Sequence, residues 1–189
     1  VDISVHALTK YPSGGGDVLM GSVMTRDPSL HMRLKLTHMR VGLAVGANDA
    51  EAVLRGLPSI YLRYHAHDQA TRQLAGWCQS RPEIVQVLHP ALEGSPGHAH
   101  WKSLCTGAPG GAAGIFAIIL RAEFSQLQVD RFCDALRLFR LGYSWGGPIS
   151  LVVPYELATM RGSWPAHLSR GTVADLQLDL QQALAIAFG

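Results

Sequence analysis

The chain has 189 residues, of which 48% are hydrophobic and 16% are charged, a balance typical of a globular protein and not of a disordered one. The net charge of +2 and the scattered Lys and Arg residues argue against a nucleic-acid-binding surface. The longest apolar stretch, from Ala112 to Leu120, is too short to span a bilayer, and no signal peptide is visible.

The first part of the chain predicts short strands and helices. Apolar runs predict strands over 1–5 and 17–24, and helical spacing of apolar residues predicts helices over 30–45 and 60–79. Between them, Asn48 with Glu51 three residues later is a capping-box pattern, which predicts a short helix to about Leu54. Because the chain opens at Val1 inside a strand pattern, we expect it to be a fragment of a longer protein.

The second part alternates strands and helices more regularly. Strands are predicted over 83–88, 115–120 and 149–153, and helices over 126–139 and 174–187. The apolar side of the 126–139 helix is predicted to include Leu127 and Phe132. Strands that alternate with helices indicate an α/β fold. We place a domain boundary within the long helix, near Leu74, which gives domains 1–74 and 75–189.

Lys10 is the main candidate for chemistry. It lies at the end of an apolar, β-prone stretch and is followed by a glycine-rich loop, residues 14–16. A lysine at the rim of a sheet can present its amine to a cavity and form a Schiff base with an aldehyde cofactor. The alternative is an ordinary surface lysine at a strand end, and this run alone favours that alternative.

A second candidate is the turn that contains Tyr143, Ser144 and Trp145. It is flanked by Gly142, Gly146 and Gly147, which let the backbone approach a ligand closely. Ser144 and nearby backbone amides can bind a carboxylate, and the two aromatic rings form an apolar wall. The alternative is a loop whose aromatic residues cap the core.

Other patterns predict no site. The glycine-rich stretch 107–114 precedes a strand instead of opening a helix, so it does not match a phosphate-binding loop. His65 and His67, like His98 and His100, are two residues apart and would lie on different faces of a helix, so no metal site is predicted. The three cysteines are odd in number and widely spaced, which predicts reduced thiols in the cytoplasm.

Three segments resemble, in order, the Cys/Met-metabolism family of pyridoxal-phosphate enzymes. The run around Thr9 and Lys10 resembles the segment of the cofactor lysine, and residues 144–151, SWGGPISL, resemble a Ser-x-Gly-Gly-x-x-Ser-Leu segment. Residues 90–102 fall where the family has its His-Pro-x-Leu segment followed by Pro-x-His. Trp145, at the variable position of the SWGGPISL segment, resembles the residue found in the cystathionine β-lyase branch of the family.

The resemblance implies a fold-type-I PLP-dependent transferase-like fold. The chain would comprise the C-terminal part of the large domain and the small C-terminal domain. Lys10 would hold pyridoxal 5'-phosphate and move the substrate α-proton, Thr9 would contact its phosphate, and Tyr143, Ser144 and Trp145 would bind the substrate. The implied reaction is β-elimination of cystathionine, an amino-acid thioether, to homocysteine, pyruvate and ammonia, in a homotetramer without nucleic-acid or membrane partners.

The sequence also departs from the family pattern. Ala7 occupies a position where the family often has a phosphate-contacting Ser, and Val173 runs directly into Ala174, so the family's segment with a carboxylate-binding Arg is absent. We therefore expect this chain alone to be inactive. Two alternatives stay open: a cystathionine γ-synthase, cystathionine γ-lyase or methionine γ-lyase of the same family, and a non-catalytic truncated remnant.

Overall fold

The computed structural model describes residues 1–105, 107, 110–156, 170–173 and 177–188, of which 156, 170–173 and 177–180 are described by their backbone alone. The contacts between residues divide the chain into two compact units. The first unit contains Val1–Arg63 and Gly146–Pro148, and the second contains Tyr64–Trp145 and Ile149–Gly189. The division follows Arg63, within the long helix, and the domains 1–74 and 75–189 stay a prediction.

The first unit begins with a two-stranded antiparallel sheet. Strands β1 (Ser4–Ala7) and β2 (Gly21–Met24) pair with Val5 opposite Val23. Helix α1 (Pro28–Val41), helix α2 (Ala47–Gly56), a 3-10 turn (Leu57–Ser59) and the start of helix α3 (Ile60–Cys78) follow. The predicted helix over 60–79 is therefore confirmed, the helix predicted over 30–45 ends at Val41, and the strand predicted over 17–24 is reduced to β2.

The two helix starts of this unit differ from each other. The Asp27 carboxylate caps α1 because it accepts the N–H groups of Ser29 at 2.7 Å and Leu30 at 3.1 Å. Helix α2 begins after Gly46, which makes no side-chain cap. The capping box predicted at Asn48 is wrong, because the helix already includes Asn48 in its first turn.

Few side chains of the first unit are buried. Within residues 1–63 the buried side chains are Tyr11, Pro12, Val18 and Val53, and α1 buries none. Apolar side chains on β1, β2 and α1 are exposed instead, among them Val5 and Met39. An isolated two-stranded sheet is marginal in water, so we infer that this unit gains little stability from its own core.

The second unit is built on a five-stranded sheet. Its strands are β3 (Ile84–Leu88), β4 (Ala117–Leu120), β5 (Arg140–Leu141), β6 (Leu151–Glu156) and β7 (Arg170–Val173), in the order β3-β4-β7-β6-β5. All neighbours are antiparallel except β5 and β6, which are parallel. Strand β7, which sequence reasoning missed, lies in the centre, where Val173 is opposite both Ala117 and Val153.

Helices cover this sheet and form the main core. They are the rest of α3, α5 (Gln126–Ala135) and α6 (Gln177–Phe188), whereas α4 (His98–Cys105) buries no side chain. Phe116, Ile118, Phe132 and Val152 are almost fully buried in one cluster, and the ring of Phe124 stacks on that of Phe188 with centroids 4.0 Å apart. The sheet and its helices confirm the α/β class. No described helix has both the length and the hydrophobicity that crossing a membrane requires.

The three cysteines are not paired with one another. Cys78 and Cys133 are buried in the core and Cys105 is exposed. Burial raises the pKa of the Cys78 thiol to about 12 and that of the Cys133 thiol to about 11. At neutral pH both thiols are therefore uncharged. Because the thiolate is the reactive form of cysteine, we infer that Cys78 and Cys133 are unreactive core side chains.

Candidate functional site

Lys10 lies half-buried in the connection between β1 and β2. This connection folds back on itself: the Ser13 N–H donates to the Leu8 carbonyl and the Gly14 N–H donates to the Lys10 carbonyl, each at 2.9 Å. Gly14 has a φ of +70°, which glycine adopts without strain. The backbone that carries Lys10 is thus held in a closed turn at the end of a strand.

The hydroxyl of Thr9 is used within the same loop. It donates to the Met20 carbonyl at 3.2 Å and accepts the Met20 N–H at 3.0 Å. A phosphate needs a donor, so Thr9 would have to turn its proton away from Met20 in order to contact one. These hydrogen bonds connect Thr9 to Met20, the residue directly before β2. The contact between Thr9 and the cofactor phosphate stays a prediction.

Tyr143, Ser144 and Trp145 lie between β5 and β6. Parallel strands cannot be joined by a tight hairpin, so residues 142–150 form a wide connection. All three side chains are exposed, at 80% for Tyr143 and 46% for Trp145, and the Tyr143 ring meets the Tyr155 ring edge-on with centroids 6.3 Å apart. The exposure disfavours the alternative in which these aromatic residues cap the core.

Gly146 and Gly147 of the same connection belong to the first unit. Gly146 has a φ of +70°, and a Cβ atom there would lie 3.0 Å from the Tyr11 nitrogen and 3.1 Å from its ring. A side chain at Gly146 would therefore crowd the residue that follows Lys10. This close approach explains the glycine at position 146.

The segment 89–102 is folded by local hydrogen bonds. The His98 Nδ1 atom lies 2.8 Å from the Pro90 carbonyl oxygen, and the Ser95 hydroxyl accepts the His89 N–H at 3.1 Å. The Trp101 indole N–H donates to the Gly111 carbonyl at 3.1 Å. Residues of the third resembling segment thus build a compact turn, and its polar side chains bind backbone atoms.

A buried charged pair lies beside that turn. Asp68 is 4% exposed and accepts the Arg72 Nε–H at 2.9 Å and the Ala112 N–H at 2.6 Å. Arg72 lies over the Trp101 ring, 5.3 Å from its centroid. The Tyr64 hydroxyl accepts the Ala113 N–H at 3.1 Å, and burial raises the pKa of Tyr64. Side chains of α3 therefore bind the backbone N–H groups of Ala112 and Ala113.

His89 is the buried titratable group of this region. It is 1% exposed, and neither ring nitrogen has a hydrogen-bond partner among the described residues. Burial lowers the pKa of His89, and the nearby Arg72 lowers it further, while Asp68 acts in the opposite direction. We infer that His89 is neutral in the folded protein at pH 7.

We expect the free energy of unfolding to fall below about pH 6.5 in part because of His89. There the unfolded chain binds a proton that folded His89 refuses, so stability is lost as the pH falls, by at most about 1.4 kcal/mol per pH unit. Above this range both states are neutral and the effect vanishes. Urea unfolding of the chain and of His89→Gln at pH 7.5, 6.5 and 5.5 measures it. Equal losses in both proteins would contradict the assignment.

The two histidine pairs lie within the described residues, and the glycine-rich stretch 107–114 lies partly within them. Within the described residues, no group of three or more His, Cys, Asp or Glu side chains is placed to hold a metal ion. Of the glycine-rich stretch 107–114, residues 108 and 109 lie outside the described part. Its described backbone at 111–113 binds Trp101, Asp68 and Tyr64, as given above.

The described geometry places the predicted site residues in two groups. Lys10 and Thr9 belong to the first unit, and Tyr143, Ser144 and Trp145 belong to the second.

Sequence reasoning missed Arg63, whose guanidinium binds the loop of Lys10. No local pattern marks Arg63, because the carbonyl that it contacts lies far away in the sequence.

Comparison with known proteins identifies the family. A model described as Cys/Met metabolism PLP-dependent enzyme matches residues 1–185. A putative cystathionine β-lyase of Rhizobium johnstonii is 38% identical over 99% of this chain and 49% of its own length. A cystathionine β-lyase of Bordetella avium is 36% identical over 96% of this chain and 47% of its own length. The chain spans about half the length of the curated relatives it matches.

Solved structures agree with the sequence matches. The crystal structure of cystathionine γ-synthase from Xanthomonas oryzae pv. oryzae in complex with cystathionine has a TM-score of 0.81 and 28% identity, and covers 99% of this chain and 50% of that one. The predicted fold-type-I PLP-dependent fold is confirmed. With the family model matching residues 1–185, the chain belongs to the Cys/Met-metabolism family of PLP-dependent enzymes.

Proposed function

We propose that this chain carries the cofactor lysine of a carbon–sulfur lyase that cleaves cystathionine by β-elimination to homocysteine, pyruvate and ammonia. The observation that carries the proposal is Lys10, held half-buried in a closed turn at the end of β1. The similarity to proteins named cystathionine β-lyase supports the substrate, and so does Trp145 in the SWGGPISL segment.

The donor set around Lys10 fits pyridoxal phosphate in part. A lysine amine is the group that binds an aldehyde covalently, and the half-buried position limits its solvation. Ser13 does not provide an additional free donor, because its hydroxyl donates to the Thr9 carbonyl at 3.0 Å. Covalent attachment at Lys10 therefore fits, whereas the phosphate would have to compete with Met20 for the Thr9 hydroxyl.

Each group of residues has a role in the proposed reaction. Pyridoxal phosphate, when bound, supplies the electron sink that stabilises negative charge on the substrate Cα. The Lys10 Nζ atom would hold the cofactor and would take the proton from the substrate Cα. Ser144 and the adjacent backbone amides bind the substrate carboxylate, and Tyr143 and Trp145 contact the thioether.

A γ-synthase or γ-lyase of the same family is the second candidate, because the solved structure compared above is a cystathionine γ-synthase. The two classes differ in product, since β-elimination of cystathionine yields pyruvate and γ-elimination yields 2-oxobutyrate. We expect pyruvate from the native enzyme on cystathionine with added pyridoxal phosphate. Release of 2-oxobutyrate would replace the β-lyase proposal with the second candidate.

A non-catalytic remnant is the alternative of another class. The sequence predicts that the 189-residue chain is inactive alone, because the segment with the carboxylate-binding Arg is absent after Val173. Ala174, the next residue, lies outside the described part of the chain. Titration with pyridoxal phosphate separates the classes: a lysine-bound cofactor gives a visible absorbance band that borohydride removes. If the native enzyme gives neither the band nor a keto acid, the remnant alternative holds.

Assembly and location belong to the same proposal. We extend it to a cytoplasmic homotetramer, supported by the free cysteines and by the exposed apolar side chains of β1, β2 and α1. Sedimentation of the native protein measures the assembly. A monomer at micromolar concentration would contradict this part and leave the proposed reaction unaffected.

We predict that Trp145→Ala changes catalysis more than folding. Because Trp145 is 46% exposed, its truncation removes little burial, and the free energy of unfolding should change by less than about 1 kcal/mol. Loss of an aromatic contact to the substrate should raise KM about tenfold. Kinetics and thermal melting on one sample decide this, with Leu141→Ala, another exposed apolar side chain, as the control. A large drop in Tm with normal KM would mean that Trp145 serves packing.

A further inference from the structure

Arg63 in the first turn of α3 binds three separate acceptors. Its Nη1 donates to the Tyr11 carbonyl at 2.7 Å, its Nη2 to the Gly56 carbonyl at 2.9 Å and its Nε to the Ser59 hydroxyl at 3.0 Å. All three acceptors are uncharged, and no ion pair among the described residues includes Arg63. Arg63 is half-buried, and its guanidinium makes hydrogen bonds to three neutral groups instead of an ion pair.

The acceptors belong to two different parts of the first unit. Gly56 and Ser59 lie at the end of α2 and in the 3-10 turn, whereas Tyr11 directly follows Lys10. The three bonds therefore join the helical part of this unit to the peptide next to Lys10. Tyr11 is 7% exposed, so the joined peptide is also enclosed.

Close packing between the loop of Lys10 and the helical part of the unit accompanies these hydrogen bonds. A Cβ atom at Gly14 would overlap the Arg63 guanidinium, and a Cβ atom at Gly56 would overlap the carbonyl oxygens of Pro12 and Ser13. The loop of Lys10 and the helical part are therefore in direct contact across two glycines.

We propose that Arg63 is a positioning residue for Lys10. It fixes the peptide after Lys10, and the closed turn, in which Gly14 N–H binds the Lys10 carbonyl, transmits this constraint to Lys10. Guanidinium suits the role because its planar fork reaches several acceptors at fixed angles, which an ammonium group cannot. The inference rests on the proposed function of Lys10, and a displaced amine would react more slowly.

Competitive labelling of the 189-residue chain tests the inference, with pyridoxal phosphate as the probe. The chain is incubated with a limiting amount, reduced with borohydride and digested, and the adduct on Lys10 is divided by that on Lys35, an exposed lysine of α1. The ratio serves as its own control for protein amount. Thermal melting of each variant shows that folded protein is compared.

We expect Arg63→Gln to lower this ratio about tenfold or more. Arg63→Lys keeps the charge but not the fork, so its ratio should fall as well, and Ser59→Ala, which removes one of the three acceptors, should give a smaller fall. Arg55→Gln is the matched control: it removes an arginine of α2 that is 75% exposed, and should leave the ratio unchanged.

The outcomes separate the two proposals. A chain without excess labelling at Lys10 would overturn the proposed role of Lys10 itself. Excess labelling that persists in Arg63→Gln, even with a lowered Tm, would overturn the positioning role alone and leave Arg63 a structural residue. If Arg63→Gln does not fold, an unchanged ratio in both Arg63→Lys and Ser59→Ala has the same consequence.

Discussion

Replacing Lys10 with alanine is expected to abolish keto-acid release, by at least about 10³-fold, in the native enzyme supplied with pyridoxal phosphate. The proposed amine both holds the cofactor and moves the substrate α-proton, so its loss removes covalent and acid–base catalysis together. The free energy of unfolding should change by less than about 1 kcal/mol, because Lys10 is half-buried and lies outside the apolar core.

Two further lysines provide the controls for this prediction. Lys35 lies on α1 and Lys102 on α4, and both are exposed, so Lys35→Ala and Lys102→Ala should retain activity. Borohydride reduction of the cofactor-loaded protein should place the pyridoxyl adduct on the peptide that carries Lys10. An adduct found consistently on Lys35 or Lys102, or an active Lys10→Ala enzyme, would contradict the assignment.

The sequence predicted elements with strong periodicity. Helix α3 was expected over 60–79 and runs over Ile60–Cys78, since its length and a following proline leave few alternatives. Strands β5 and β7 were missed because they are short or contain glycine, and only pairing with neighbours defines them. The helix predicted over 126–139 ends at Ala135, where tertiary contacts outweigh helical spacing.

Burial was harder to predict than helix position. On α5, Phe132 is fully buried as expected, but Leu127 is 60% exposed while Val129 is buried. Helix α1 shows the limit most clearly, because a helix with apolar residues at helical spacing buries none of them. Periodicity predicts which face of a helix is apolar. Whether that face is buried depends on other elements that pack against it, which the local pattern does not reveal.

For the candidate site, sequence patterns predict which residues carry chemistry but not which residues hold them in place. Lys10 and Trp145 lie in recognisable segments of the family. Arg63 donates to the Tyr11 carbonyl and Asp68 accepts the Ala112 N–H, and these backbone groups are 52 and 44 residues away. Because any residue supplies a backbone group, such contacts leave no mark in the sequence of the partner.

Replacing Asp68 with alanine is expected to destabilise the second unit by about 3 kcal/mol. The change removes the acceptor of the Ala112 N–H and the counter-ion of Arg72, and breaking a buried ion pair typically costs this much or more. Arg72 is 34% exposed, so water recovers part of the loss and we expect the low end of the range. Asp68→Asn keeps the shape and one acceptor and should cost about half as much.

Glu51 and Arg55 of α2 form the matched control for that pair. Both pairs place an acid four residues before an arginine on a helix, but Glu51 and Arg55 are 3.8 Å apart with side chains 61% and 75% exposed. Glu51→Ala should therefore cost less than about 0.5 kcal/mol. A double-mutant cycle of Asp68→Ala with Arg72→Ala, followed by urea unfolding, measures the coupling directly. A coupling below about 0.5 kcal/mol would show that Asp68 stabilises the fold through Ala112 and not through its charge.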